Sequence, residues 1–211
     1  MHFARMVKRQ SPTPPRRTQA ERSEATRAAL IASGRTLFGS KGYGRTAREE
    51  IVADAGVTRG ALQHHFGDKQ GLFRAVYEEL EQQIVGSTAR AAMQVGHEHA
   101  LEMLRAGCQA YLDAMLDPAV QRICAVDGPA VLPADVRSEI AERYALALVR
   151  EVVQSAISQG EIQPAPLEPL TRMLLAGVMA AAQYVATAEN PKQARGDAGK
   201  TVDVLLSSLT P

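Results

Sequence analysis

Between Thr58 and His64 the chain sets Thr58, Arg59, Gly60, Gln63 and His64 at the spacing of one face of a short helix, with Leu62 and Phe66 on the other. Those outward side chains have the chemistry of nucleic-acid readers. Arginine pairs bidentately with guanine and glutamine with adenine in a major groove, whereas threonine, histidine and lysine more often hold phosphates. Gly60 would let the backbone come close to such a partner. Arg45, Thr46 and Lys69, at the two ends of the same stretch, complete the candidate DNA-contacting set. Other chemistry is thin. No Ser-His-Asp set, paired carboxylates or phosphate loop is identifiable, so no catalytic residue and no enzyme activity is expected, and no cofactor is implied. Cys108 and Cys124 are not spaced as metal ligands, and His97 and His99, two apart, diverge on a helix, as do the adjacent His64 and His65. No metal site is expected.

The elements that must position the reading face follow from local signals. Thr46 with Glu49 three residues on reads as a capping box opening a helix that runs to about Asp54. Gly56, within Ala55-Gly56-Val57, supplies the positive φ of a turn, and Thr58 caps the next helix. Ile51, Val52, Val57, Leu62 and Phe66 then face inward, so the pair packs on a third helix. That third helix runs from Arg22 to about Gly39, with Leu30, Ile31, Gly34, Leu37 and Phe38 as its apolar stripe. Lys41-Gly42-Tyr43-Gly44 breaks it, and Tyr43 is expected to pack beneath the turn. Asp68 caps a longer helix with Leu72, Phe73, Val76, Tyr77, Leu80 and Ile84 on one face. Lys69 lies in its first turn, where a backbone N–H also suits a phosphate. This helix is the only continuous element leaving the head.

The chain has 211 residues, 45% hydrophobic and 22% charged, and a net charge of +1 that hides an asymmetry. Residues 1–74 carry 14 Lys and Arg against 6 Asp and Glu, whereas residues 75–211 carry 10 against 17. A basic head suits a polyanion and an acidic body is repelled by it, which orients the molecule on DNA. Residues 1–20 combine prolines with Arg5, Lys8, Arg9, Arg16 and Arg17 without apolar periodicity and read as a disordered basic arm, either a minor-groove arm or a tail of nonspecific charge. There is no apolar segment for export or membrane insertion, so a cytoplasmic, nucleoid-associated location is expected.

The body shows only helical stripes. One runs from about Glu98 to Leu116, Asp117-Pro118 starts a short helix, and Asp127-Gly128-Pro129 with Pro133 reads as an irregular link. A long helix from Asp135 to about Gln159 is stopped by Gly160. A proline-rich connector, Pro164 to Pro169, leads to a helix marked by Leu170, Met173, Leu174, Gly177, Val178, Ala181 and Val185, and Val202, Leu205, Leu206 and Leu209 mark a last one. These last two, rich in apolar and small residues, suit packing across a twofold axis.

From Arg27 to Val76 the chain resembles the TetR family of bacterial transcription regulators. The matching pieces are Leu37-Phe38, Gly42-Tyr43, Thr46, Ile51, Ala55-Gly56-Val57-Thr58, Gly60, Leu62, His65-Phe66, Asp68-Lys69 and Leu72, with departures at Ala47, Val52 and Gln63. The resemblance implies an all-α fold of about nine helices: a helix-turn-helix DNA-binding domain (residues 21–74) and a helical effector-binding and dimerisation domain (residues 75–211). It implies a homodimer formed through the last two helices, a palindromic double-stranded DNA operator, and a small effector whose binding releases it, most often in a repressor. Leu104, Cys108, Tyr111, Met115, Tyr144, Met173, Gln183 and Tyr184 are the candidate effector-binding residues, and few aromatics with no tryptophan favour a modest apolar ligand oriented by a hydroxyl or amide. The competing expectation is a helical binding or redox-sensing protein built on Cys108 and Cys124 with weak, nonspecific DNA binding. Buried small hydrophobes is the simpler reading of those cysteines.

Overall fold

The computed structural model describes residues 18–96 and 98–211; the expected arm therefore lies outside the described residues as far as residue 17, as does His97. Among the described residues there are nine helices and no strand, counting together α-helical and π-wound stretches that run into one another. Helix α1 spans Gln19–Lys41, α2 Arg48–Asp54, α3 Arg59–Phe66, α4 Lys69–Met93 and α5 Ala100–Ala114. Helix α6, residues 118–131, joins Pro118–Val120, a π-wound Gln121–Asp127 and Gly128–Val131. Helix α7, residues 134–158, joins Ala134–Ala141, a π-wound Glu142–Leu146 and Ala147–Ser158. Helices α8 (Leu167–Thr187) and α9 (Pro191–Ser207) close the chain.

Several boundaries differ from the sequence reading, among them the proline-rich connector, which ends at Pro166 rather than Pro169 because α8 begins at Leu167. Helix α1 begins earlier than Arg22 because Thr18 forms a full capping box with Glu21: Thr18 N–H donates to Glu21 Oε2 at 2.7 Å and Glu21 N–H to Thr18 Oγ1 at 3.2 Å. The cap of α2 is Ala47, not Thr46. Glu50 rather than Glu49 reaches back, its carboxylate accepting from Ala47 N–H at 3.1 Å, while Thr46 turns inward. Finally, the stretch from Asp127 to Val131 is helical, not an irregular link: the winding continues through Gly128 past Pro129, and Leu132 N–H donates to the Gly128 carbonyl at 2.9 Å. At the end of α7, Gly160 takes φ 73° and stops the helix as expected.

The head is built around an aromatic trio. Phe38 and Phe73 are fully buried and meet edge to face at 5.2 Å between centroids, and Tyr43 stands over both at 5.8 and 5.2 Å. Leu30, Ile51, Leu62 and Leu72 close this core around α1 to α4. Helix α4 continues into the body, where Tyr77, Leu80 and Ile84 pack on Leu112, Ile123 and the remaining body core. A second joint lies between α1 and α6: a Cβ placed on Gly39 would stand 2.7 Å from the Ala119 methyl, so only glycine permits this approach. The end of the π-wound part of α6 reaches the head directly, Tyr43 N–H donating to Asp127 Oδ2 at 2.7 Å.

Candidate nucleic-acid interface and effector cavity

Helix α3 is held at its start by Thr58, whose hydroxyl accepts from Ala61 N–H at 3.3 Å, and Gly56 turns the chain into it with φ 65°. Leu62 is buried beneath it and Phe66 half-buried, with the Arg27 guanidinium 5.6 Å from the Phe66 ring. Thr58, Arg59, Gly60, Gln63 and His64 are all exposed, as their spacing predicted. Arg59 pairs with Glu49 across the face. That carboxylate, held first by its own backbone N–H and then by Arg59, sits below the usual carboxylate range. A surface cleft of about 240 Å³ is lined by Arg48, Val52, Arg59, Gly60, Leu62 and Gln63. Arg48 was not among the sequence candidates. Once α2 starts at Arg48 this cation falls beside Arg59, a placement that depends on the corrected cap.

The remaining DNA candidates divide. Arg45 is exposed, with Nε donating to the Lys41 carbonyl at 2.8 Å, so most of its guanidinium is outward. Thr46 is 1% exposed, and its hydroxyl donates to the Gly42 carbonyl at 2.9 Å; it staples the turn before α2 and its side chain offers nothing to DNA. Lys69 is likewise occupied. Its ammonium donates to the Tyr43 and Thr46 carbonyls, both at 3.0 Å, and lies 4.1 Å from the Tyr43 ring centroid. Three inward partners outweigh a solvent-exposed phosphate role, so Lys69 is a brace between α4 and the turn.

In the body a cavity of about 80 Å³ opens between five helices. Val85, Thr88 and Ala92 of α4 form one wall, and Leu104, Cys108 and Tyr111 of α5 form the facing one. Val149 and Val152 of α7, Leu174 and Val178 of α8 and Leu206 of α9 close it. Of the sequence candidates, Leu104, Cys108 and Tyr111 are brought together here. Met115 is buried in the core, and Tyr144 is turned away, its hydroxyl donating to Glu78 Oε1 at 2.9 Å. Met173 and Tyr184 are 72% and 56% exposed on α8, and Gln183 donates its amide to the Ala125 carbonyl at 3.0 Å. None of these five lines the cavity. The missed lining residues are aliphatic and small, and their sequence signal is that of any core position.

Both cysteines are free thiols. Burial pushes the Cys108 thiol up to about 11 and the Cys124 thiol well above its ordinary value, so neither is a ready thiolate at neutral pH. Behind Tyr111, Glu81 is 8% exposed beside Tyr77 and Cys124; desolvation raises its carboxyl above the ordinary range.

This arrangement has known counterparts. A family profile described as "Bacterial regulatory proteins, tetR family" matches residues 30–76, and one described as "Tetracyclin repressor-like, C-terminal domain" matches residues 101–209. The crystal structure of a TetR-family transcriptional regulator from Pectobacterium atrosepticum superposes with a TM-score of 0.79 at 31% identity, covering 92% of this chain and 98% of that one. The HTH-type transcriptional regulator CymR of Pseudomonas putida is 36% identical over 117 residues, 54% of this chain but only 58% of that protein, under two thirds of its length. The transposon Tn10 TetC protein of Escherichia coli is 26% identical over 156 residues, 74% of this chain and 78% of its own. With matching profiles over the head and the body and a structural match along nearly its whole length, the chain belongs to the TetR family of transcriptional regulators.

Proposed function

We propose that the protein is a homodimeric, sequence-specific DNA-binding regulator in the cytoplasm, a repressor released from a palindromic operator by a small apolar effector. The observation that carries this reading is the double role of α4. Its first turn braces the turn before α2 through Lys69, and its Val85, Thr88 and Ala92 form a wall of the body cavity. At about 80 Å³ the cavity is smaller than the ~150 Å³ that holds a benzene ring. A ring-sized ligand must therefore push its walls apart, and one of those walls leads to the reading head. The ligand shifts the heads only by as much as it prefers the displaced arrangement, and DNA weakens ligand binding by the same factor.

Two neighbours at low identity were crystallised with ligands: RolR with resorcinol (TM-score 0.64, 18% identity) and FadR of Bacillus subtilis with stearoyl-CoA (TM-score 0.71, 15% identity). The small cavity here suits a ligand nearer the first in size. For dimerisation, Met173, Tyr184, Val204 and Leu205 form exposed apolar positions on α8 and α9. Pairing there would set two reading heads on half-sites about 34 Å apart or more. Residues 21–74 serve as the DNA-binding domain, with Arg45, Arg59, Gln63 and His64 as DNA contacts, Thr58 and Gly60 shaping their approach and Arg48 added to the set. The test is Arg59→Ala on the selected operator: binding should weaken by about 1–3 kcal/mol and base preference at one position should relax. Equal affinity of variant and parent would remove Arg59 from the reading set.

A further inference from the structure

The cavity wall is apolar except at three places. The Thr88 hydroxyl is spent, donating to the Ile84 carbonyl at 2.8 Å. The Cys108 thiol, kept protonated by burial, is a weak donor. The third place is Tyr111. It borders the cavity, and its hydroxyl makes no hydrogen bond among the described residues. Tyr111 is half-buried, so its unpaired hydroxyl is left available to a ligand in the cavity.

The surroundings of that hydroxyl also set a charge preference. Glu81, Tyr77 and Cys124 all act on it, and Glu81 is the only acid among them. Among the described residues, no lysine, arginine or histidine lines the cavity. An anion entering would find no countercharge.

We infer that the cavity selects a neutral, ring-sized molecule with a single hydroxyl, whose oxygen accepts a hydrogen bond from the Tyr111 hydroxyl, and refuses carboxylates of the same size. The inference rests on the cavity being the effector site. Tyr111 is the residue that tells such a ligand from a plain hydrocarbon. The absence of a lining cation is what keeps acids out.

Calorimetric titration of the full chain at neutral pH with toluene, benzyl alcohol and benzoate tests it, since the three share one ring and differ in the polar group. Benzyl alcohol should bind several-fold more tightly than toluene, and benzoate should give no binding heat. In Tyr111→Phe, which keeps the ring, the preference for the alcohol over toluene should vanish while toluene binds as before. Benzoate binding as tightly as the alcohol, an alcohol preference that survives in Tyr111→Phe, or no binding of any probe would overturn the inference. Duplex selection on the same preparations separates the levels. An enriched palindrome alongside failed probe binding overturns only the ligand class, whereas loss of any enriched site overturns the regulator reading itself.

Discussion

Removing the Lys69 ammonium takes away its hydrogen bonds to the Tyr43 and Thr46 carbonyls and its contact with the Tyr43 ring. Lys69→Ala should therefore lower stability by about 1–3 kcal/mol in chemical denaturation, with the salt slope of DNA binding unchanged. A slope smaller by one at unchanged stability would return Lys69 to the phosphates. Nothing local in the sequence could show this, because the accepting carbonyls lie 26 and 23 residues away and the same spacing fits an exposed phosphate ligand. Glu81 gives a pH dependence of definite sign. Its folded carboxyl is raised above the ordinary value of 4.5, so the native state binds more protons than the unfolded chain above that pH. Stability contributed by this group is present in acid and falls as pH rises through the folded titration. Glu81→Gln should flatten that decline in melting temperatures measured from about pH 4.5 upward; an equally steep decline in the variant would place the titration elsewhere. In sequence Glu81 stands between Glu78-Glu79-Leu80 and Gln82-Gln83, where an acid reads as a solvated charge.

At the scale of elements, periodicity disclosed where helices run and said less about how they begin and join. The stripes Leu30 to Phe38 and Leu72 to Ile84 were legible because each faces one contiguous core. Two features were not: the start of α2, decided by Thr46 turning inward to the Gly42 carbonyl, and the π winding within α6, whose extra residue per turn follows from packing rather than from residue type. That winding matters because it ends on Asp127, the carboxylate that accepts from Tyr43 N–H at 2.7 Å and ties the body to the turn of the head. Asp127→Ala should cost about 1–2 kcal/mol and speed hydrogen exchange at the Tyr43 amide. Unchanged exchange there would mean that the joint is carried by the Gly39 and Ala119 packing alone.

For the whole molecule, the exposed apolar residues of the last two helices and the basic head with its acidic body bear on assembly. Val204 is 69% exposed on α9 and Leu205 beside it 56%. Isolated exposed side chains of this kind are ordinary, but their grouping with Met173 and Tyr184 on adjacent helices is what an isologous interface requires. Val204→Asp should shift the protein from dimer to monomer in sedimentation at micromolar concentration with little loss of monomer helicity; a dimer of unchanged stability would exclude α9 from the interface. The helix count and the exposed polar face of α3 could be anticipated from sequence, because both are written in spacing. The cavity could not, since Val149, Val152 and Leu174 differ from core residues only in that nothing fills the space they surround.

Selection of bound sequences from a random duplex pool at physiological salt, using the purified full chain, is the most direct test of a dimeric, sequence-reading regulator. The proposed dimer predicts an enriched palindrome whose half-sites are separated by at least about one helical turn, and whose enrichment collapses with Arg59→Ala. Binding without any enriched sequence, fading steeply as salt rises, would contradict it and leave the basic head as a holder of phosphates alone.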